Sequence, residues 1–269
     1  MAVPLQLPPG GPGITAPPLF TGVGVALVTL FDAIGEIDAK ATADHAAQLA
    51  DLGMRAVVVA GSTGEAATLT LDERTELLTE VRRAVPARIP VIAGTGAPAS
   101  RQAVALTKAA IEHGADAVLV LSPPRVRDPR AYYEAVAGAA AGRPVLAYHY
   151  PEASLPGVPL DLLPELAVQG VKDSSGDPER LLAELNGFQG WVYVGSSALL
   201  AYAGPLGCQG AIIALANAMP EVCVRAFAGD TSAQLELVGS HVAARRDFPH
   251  GLKDLVARRF GTSRTARLG

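Results

Sequence analysis

The stretch His113-Gly114-Ala115-Asp116-Ala117-Val118-Leu119-Val120-Leu121 carries the reading of the fold. An amphipathic segment ends at His113, and Gly114 supplies the left-handed residue that stops a helix. Five apolar residues then follow with no polar alternation, as expected of a strand buried on both faces in a parallel sheet. The same junction recurs as Leu52-Gly53 before residues 56–60 and as Leu206-Gly207 before residues 211–214. Further apolar runs at 23–29, 91–94, 145–148, 170–172 and 191–194 bring the number to eight.

Segments with helical periodicity separate these runs. One spans 38–52, with Asp38 as its cap, and another opens at Thr70-Leu71-Asp72-Glu73, the pattern of a capping box. Segments 100–113 and 130–141 follow. Eight strand–helix units in about 250 residues predict an α/β fold, the (β/α)8 TIM barrel, over its rival, a doubly wound open sheet. Residues 221–228, 231–245 and 251–260 read as helices packed outside the barrel. The expected division is a Pro/Gly-rich arm at 1–18, the barrel at 19–220, and a short C-terminal helical extension at 221–269.

Composition bounds the function. Of 269 residues, 49% are hydrophobic and 18% charged, enough apolar material for a large core and too much for a disordered chain. The net charge of −4 argues against nucleic acid or an anionic membrane as partner. Cys208 and Cys223 stand apart from any CxxC or ligand-spaced histidine, so neither a disulfide framework nor a zinc site is expected. The first basic residue is Lys40, which leaves no charged leader region, and no apolar run approaches the roughly 18 residues of a membrane span. A cytoplasmic enzyme with a small-molecule substrate is the expectation.

In a TIM barrel the loops leaving the carboxyl ends of the strands build the active site. After the second strand comes Gly61-Ser62-Thr63-Gly64-Glu65. Its two glycines permit a tight turn with free N–H groups and its adjacent hydroxyls add donors, a set suited to a carboxylate; a plain strand-to-helix turn with a serine cap is the simpler reading. Gly94-Thr95-Gly96-Ala97-Pro98-Ala99 is a literal G-x-G-x-x-A. A dinucleotide role for it is disfavoured, because it follows the third strand and Pro98 interrupts the start of its helix.

After the fifth strand comes Tyr148-His149-Tyr150-Pro151. Tyr148 can pass a proton through its hydroxyl or simply plug the barrel mouth, while His149 points to the opposite, outer face. The sixth strand ends in Val171-Lys172-Asp173-Ser174-Ser175-Gly176. A lysine at a strand end is ordinarily solvated. Enclosed in a barrel it loses water, its pKa falls, and the neutral amine can attack a ketone.

The order of these loops resembles that of the dihydrodipicolinate synthase/N-acetylneuraminate lyase family from about Val23 to Asn217. Gly61–Glu65 is similar to the family's carboxylate loop, Tyr148–Pro151 to its Y-x-x-P segment, and Lys172–Gly176 to its lysine motif. Gly195-Ser196 and Gly210-Ala211-Ile212 resemble later pocket-lining turns. The resemblance implies a class I aldolase that works on pyruvate or a related 2-oxo acid. Lys172 would form the Schiff base and Tyr148 would shuttle protons. Ser62, Thr63, Gly61, Gly195 and Ile212 would bind substrate, with Thr63 also a link in the proton relay. No metal or organic cofactor is implied, and a homo-oligomer, dimer or tetramer, is.

Three departures from the synthase branch shape the substrate expectation. Where that branch has a tyrosine pair after the fourth strand, this chain reads Ser122-Pro123-Pro124-Arg125-Val126-Arg127, and Tyr132 and Tyr133 come later, on a helix. Where it has an arginine after Y-x-x-P, this chain has Glu152-Ala153-Ser154. The part that follows Lys172 is also short for the family. Residues 172–177 and Ala214-Leu215-Ala216-Asn217 look most like 4-hydroxy-2-oxoglutarate aldolases. The leading expectation is therefore reversible aldol cleavage of a 4-hydroxy-2-oxo acid or sugar-derived 2-oxo acid, with Arg125 or Arg127 supplying the missing cation. The alternatives are condensation of pyruvate with aspartate semialdehyde and a catalytically silent paralogue that senses a 2-oxo acid. A nucleotide-dependent oxidoreductase on the Gly94–Ala99 turn comes last.

Overall fold

A computed structural model describes residues 17–268. Most of the Pro/Gly-rich arm, residues 1–16, lies outside the described residues. Eight parallel strands close into a barrel in chain order: β1 (Gly22–Ala26), β2 (Val57–Val59), β3 (Val91–Gly94), β4 (Ala117–Leu121), β5 (Val145–His149), β6 (Gly170–Asp173), β7 (Trp191–Val194) and β8 (Gly210–Ile213), with β8 pairing back to β1. This is the TIM barrel that the eight apolar runs predict.

Alternation along each strand sorts the two faces. Val58, Ile92, Leu119, Leu146 and Ile212 fill the barrel interior, whereas Val25, Val57, Val91, Val118, Val171 and Ile213 face the helical layer. Phe20 closes the amino end, its ring stacked on Tyr193 at 4.6 Å between centroids, and the Tyr193 hydroxyl donates to the Phe20 carbonyl at 3.1 Å.

The outer layer contains α1 (Ala39–Asp51), α2 (Leu71–Ala84), α3 (Ser100–Glu112), α4 (Arg130–Ala139), α5 (Pro178–Gly187), α6 (Leu200–Ala203) and α7 (Pro220–Phe227). Asp38 caps α1, accepting from the Ala41 N–H, and Thr70 and Glu73 form the complete capping box of α2. Gly53, Gly114 and Gly207 all take positive φ at the helix-to-strand junctions, a conformation costly for any residue with a Cβ. After β5 a short 3-10 turn, Leu163–Glu165, stands in for a helix. Pro151, Pro156, Pro159 and Pro164 crowd that connection and remove the N–H groups a helix needs.

Two features differ from the expected division. The outer layer continues through α7, which packs against β1, so the eightfold pattern runs to Phe227 instead of ending at 220. The expected helix at 231–245 is interrupted at Leu237, giving α8 (Thr231–Glu236) and α9 (Val238–Arg246), with Gly239, a poor helix former, just past the break. Together with α10 (His250–Phe260), α9 supplies wall residues to the cavity at the carboxyl end of the barrel. These helices roof the cavity, which the expectation of outside packing does not anticipate. Among the described residues no helix is long and apolar enough to cross a membrane.

Candidate active site

The register of β5, β6 and β7 sets Tyr148, Lys172 and Tyr193 side by side on the inner face. Lys172 is 4% exposed, and its Nζ sits 4.3 Å from the centre of the Tyr148 ring. Loss of water alone pushes its pKa down to about 7, so near neutral pH roughly half of the amine is uncharged. Burial raises the Tyr148 pKa, while hydrogen bonding with Ser174 and Ser62 pulls the other way. The lysine, the phenol and two serine hydroxyls thus cluster at the carboxyl ends of the strands, with Ser62 alone of the four partly exposed.

Close backbone approach shapes the neighbourhood of Lys172. A Cβ on Gly195 would collide with Ser174 Oγ and come within 3.0 Å of Lys172 Cε, so a larger residue there would crowd the amine. Asp173 alternates to the outer face, where its carboxylate accepts from the Ser175 N–H at 2.8 Å and turns the loop that carries Ser174. Asn217 stitches the loop after β8 to β1, accepting from the Val28 N–H at 3.1 Å and donating to the Ala26 carbonyl at 2.7 Å.

The turn from Gly61 to Glu65 is held from several sides. Its flanking residues Ala60 and Glu65 take positive φ of 53° and 55°, strained values for residues with a Cβ. Thr29, in the loop after β1, donates to the Gly64 carbonyl at 2.7 Å, and Arg74 of α2 donates to the carbonyls of Ala66 and Gly94. Glu65 itself is fully buried, 2.5 Å from Lys253 Nζ of α10, and its second oxygen accepts from the N–H groups of Arg267 and Leu268 at 2.7 and 2.8 Å. The last described residues therefore anchor the turn that presents Ser62 and Thr63.

A cavity of about 170 Å³, open at its mouth, joins these groups. Ser62, Thr63, Tyr148, Lys172 and Gly195 line it, which brings together five of the seven residues singled out in the sequence. Gly61 and Ile212 are not in the wall. The Gly61 carbonyl is spent on the N–H groups of Gly64 and Ala66, and the Ile212 side chain packs inside the barrel core, so that Ile213, Ala214 and Leu215 form the β8 edge.

Arg125 and Arg127 are exposed and absent from the wall, with the Arg125 N–H tied to the Leu155 carbonyl at 2.7 Å. Tyr132 and Tyr133 are held elsewhere, their hydroxyls donating to the carbonyls of Ala97 and Val120. The Gly94–Ala99 turn has a packing explanation: Cβ atoms there would strike the Ala60 carbonyl at Gly94 and the Leu121 N at 2.5 Å from Gly96. His149 lies outside the barrel, buried, with Nδ1 accepting from the Val158 N–H.

Several wall residues escape the sequence reading. Tyr150 stacks on Tyr148 with ring centres 5.8 Å apart and donates to Glu152 Oε2 at 3.2 Å. Its position two residues beyond Tyr148 was a usable signal. Ser197 and His241 share a hydrogen bond of 2.8 Å, and Arg245 of α9 reaches Glu152 Oε1 at 2.5 Å. Nothing in the α9 sequence marks a residue of a site built around β5 and β6.

A closed (β/α)8 barrel with a buried amine beside a phenol at its carboxyl end supplies the nucleophile and the proton donor that a Schiff-base-forming aldolase or lyase uses. The chain is a member of the dihydrodipicolinate synthetase family, whose model matches residues 19–244. A 4-hydroxy-tetrahydrodipicolinate synthase of Pseudomonas aeruginosa is 37% identical over 237 residues, covering 80% of this chain and 78% of that protein. An uncharacterized DapA-like lyase of Halobacterium salinarum is 38% identical over 221 residues, covering 79% of this chain and 73% of that protein. Among solved structures, the dihydrodipicolinate synthase of Acinetobacter baumannii complexed with pyruvate superimposes with a TM-score of 0.79 at 28% identity, over 92% of this chain and 94% of that one. The chain is accordingly a class I lyase of this family.

Proposed function

We propose that the chain cleaves and re-forms a C–C bond in a 4-hydroxy-2-oxo acid through an iminium on Lys172. The carrying observation is the Lys172 amine, buried against the Tyr148 ring and shifted to about 7 by loss of water. The neutral amine attacks the C2 ketone to give a carbinolamine. Tyr148 donates the proton with which the C2 oxygen leaves as water. The iminium then accepts the electron pair of the C3–C4 bond as the C4 hydroxyl gives its proton to the Tyr148 phenolate, releasing an aldehyde and leaving an enamine. Protonation at C3 and hydrolysis return pyruvate and the free amine. Ser62 and Thr63 hold the 2-oxo acid carboxylate, with Gly195 keeping the space beside the amine open. This chemistry calls for no metal or organic cofactor. By analogy with its relatives, we assign the chain to the cytoplasm as a homo-oligomer.

A second reading, condensation of pyruvate with aspartate semialdehyde, is favoured by the relatives named 4-hydroxy-tetrahydrodipicolinate synthase. Against it stand the engaged tyrosines of α4 and the acidic Glu152 where the synthase branch has an arginine.

Borohydride reduction in the presence of pyruvate, followed by peptide mass mapping, tests the shared chemistry. A reduced adduct on Lys172, absent from Lys172→Ala, is expected; a folded protein without adduct defeats both readings. Turnover then separates them: pyruvate release from 4-hydroxy-2-oxoglutarate supports cleavage, and pyruvate consumption that requires aspartate semialdehyde supports the synthase.

A further inference from the structure

The Schiff-base reading uses one rim of the cavity and leaves another polar set without a role. Arg245 is the only guanidinium in the wall among the described residues. Its Nη2 rests on Glu152 Oε1 at 2.5 Å, and the Tyr150 hydroxyl holds the other Glu152 oxygen. His241 lies one helical turn before Arg245, but burial and the neighbouring guanidinium depress its pKa, and its Nδ1 is engaged with Ser197 Oγ. Among the wall residues, the permanent positive charge beyond the amine is thus Arg245 alone.

A 2-oxo acid brings one carboxylate, and Ser62 and Thr63 already account for it. A second anion has one partner to meet. The Arg245 and Glu152 side chains are 45% and 57% exposed, and a pair so open to water is only weakly held. A substrate carboxylate can therefore replace Glu152 on the guanidinium at little cost and gain a bidentate contact.

We propose that Arg245 binds a carboxylate on the aldehyde half of the substrate, and that Glu152 occupies the guanidinium until that carboxylate arrives. The inference rests on the Schiff-base reading and narrows it to aldehydes that carry their own acid group. Neutral and sugar aldehydes fall outside the class.

The test compares 4-hydroxy-2-oxoglutarate with 4-hydroxy-2-oxopentanoate, which carries a methyl in place of the distal carboxylate. The readout is the concentration of each that half-saturates borohydride trapping on Lys172, so turnover is not required. The parent protein should trap the diacid at about ten- to hundredfold lower concentration, the scale of a hydrogen bond to a charged group. Arg245→Gln should erase that preference, and Glu152→Gln should widen it by removing the competing carboxylate. Equal trapping of the two compounds by the parent, a preference that survives Arg245→Gln, or one that fails to widen in Glu152→Gln overturns the inference. If Arg245→Gln does not fold, the Glu152 variant decides alone. Failure of the underlying chemistry is distinct, since the parent would then give no adduct even with pyruvate.

Discussion

At the scale of the residue, the central fact is a lysine without a counter-charge. Desolvation alone moves its pKa from 10.5 to about 7, which makes the amine a nucleophile near neutrality. Because the neutral form attacks, the initial rate of pyruvate trapping should climb as pH rises through about 7 and level off above it. A flat profile between pH 5.5 and 9 would contradict the shift. The same shift has a sign for stability. The folded pKa lies below the unfolded value, so the unfolded chain binds the extra proton between about 7 and 10.5 and stability rises with pH across that window. Lys172→Met should accordingly stabilise the protein below pH 7, by at most about 5 kcal/mol for a shift of this size, and the gain should vanish near pH 10.5 in denaturant titrations. Tyr148→Phe should slow turnover by about 10²–10⁴, the range for a positioned proton donor.

Residues of this kind were legible because strand alternation and loop position constrain them together. Lys172 and Tyr148 fall at inward positions of adjacent strands, and Ser62 and Thr63 follow the carboxyl end of another. Tyr150 obeys the same two-residue spacing as Tyr148 and could have been read. Arg245 could not: it lines a cavity whose lysine lies far away in sequence, and helical periodicity marks the buried face of α9 without revealing what its polar side overhangs.

At the scale of the element, caps and junctions follow from local chemistry. The Thr70–Glu73 box satisfies N–H groups at the start of α2 with side chains three residues apart. Thr70→Ala should cost about 1 kcal/mol in thermal or urea unfolding, with no change in the position of Lys172 trapping. The missing helix after β5 was harder to foresee, since eightfold regularity argues for one and only the density of prolines argues against it. The break at Leu237 likewise lies below the resolution of a periodic pattern, because residues on both sides keep helical spacing. At the end of β7, Gly195→Ala should impair adduct formation far more than folding, as the added methyl meets Ser174 and the lysine stem. Normal trapping by that variant would show that the loop has room to move.

At the scale of the whole molecule, the barrel was readable from its repeats, but the clamp that finishes it was not. Glu65 and Lys253 are both completely buried and joined at 2.5 Å, with the Lys253 Nζ also donating to the Thr265 carbonyl at 2.6 Å. Phe31 offers its ring face to Lys253 and Arg267, and Arg267 pairs with Glu73 at 2.6 Å. Sequence patterns identify short-range spacing, and these partners stand about two hundred positions apart. Lys253→Ala should destabilise the fold by about 3–5 kcal/mol, because it leaves a carboxylate buried without its partner. It should also weaken pyruvate trapping, since the same carboxylate shapes the Ser62–Thr63 turn; loss of stability with undiminished trapping would separate the two roles.

That clamp also sets an order of events during synthesis. All eight strands are synthesised before Lys253 and Arg267, so Glu65 waits for the groups that seat it until after the last strand is made. Competence to hold an organic acid then waits on side chains made after the last strand of the barrel.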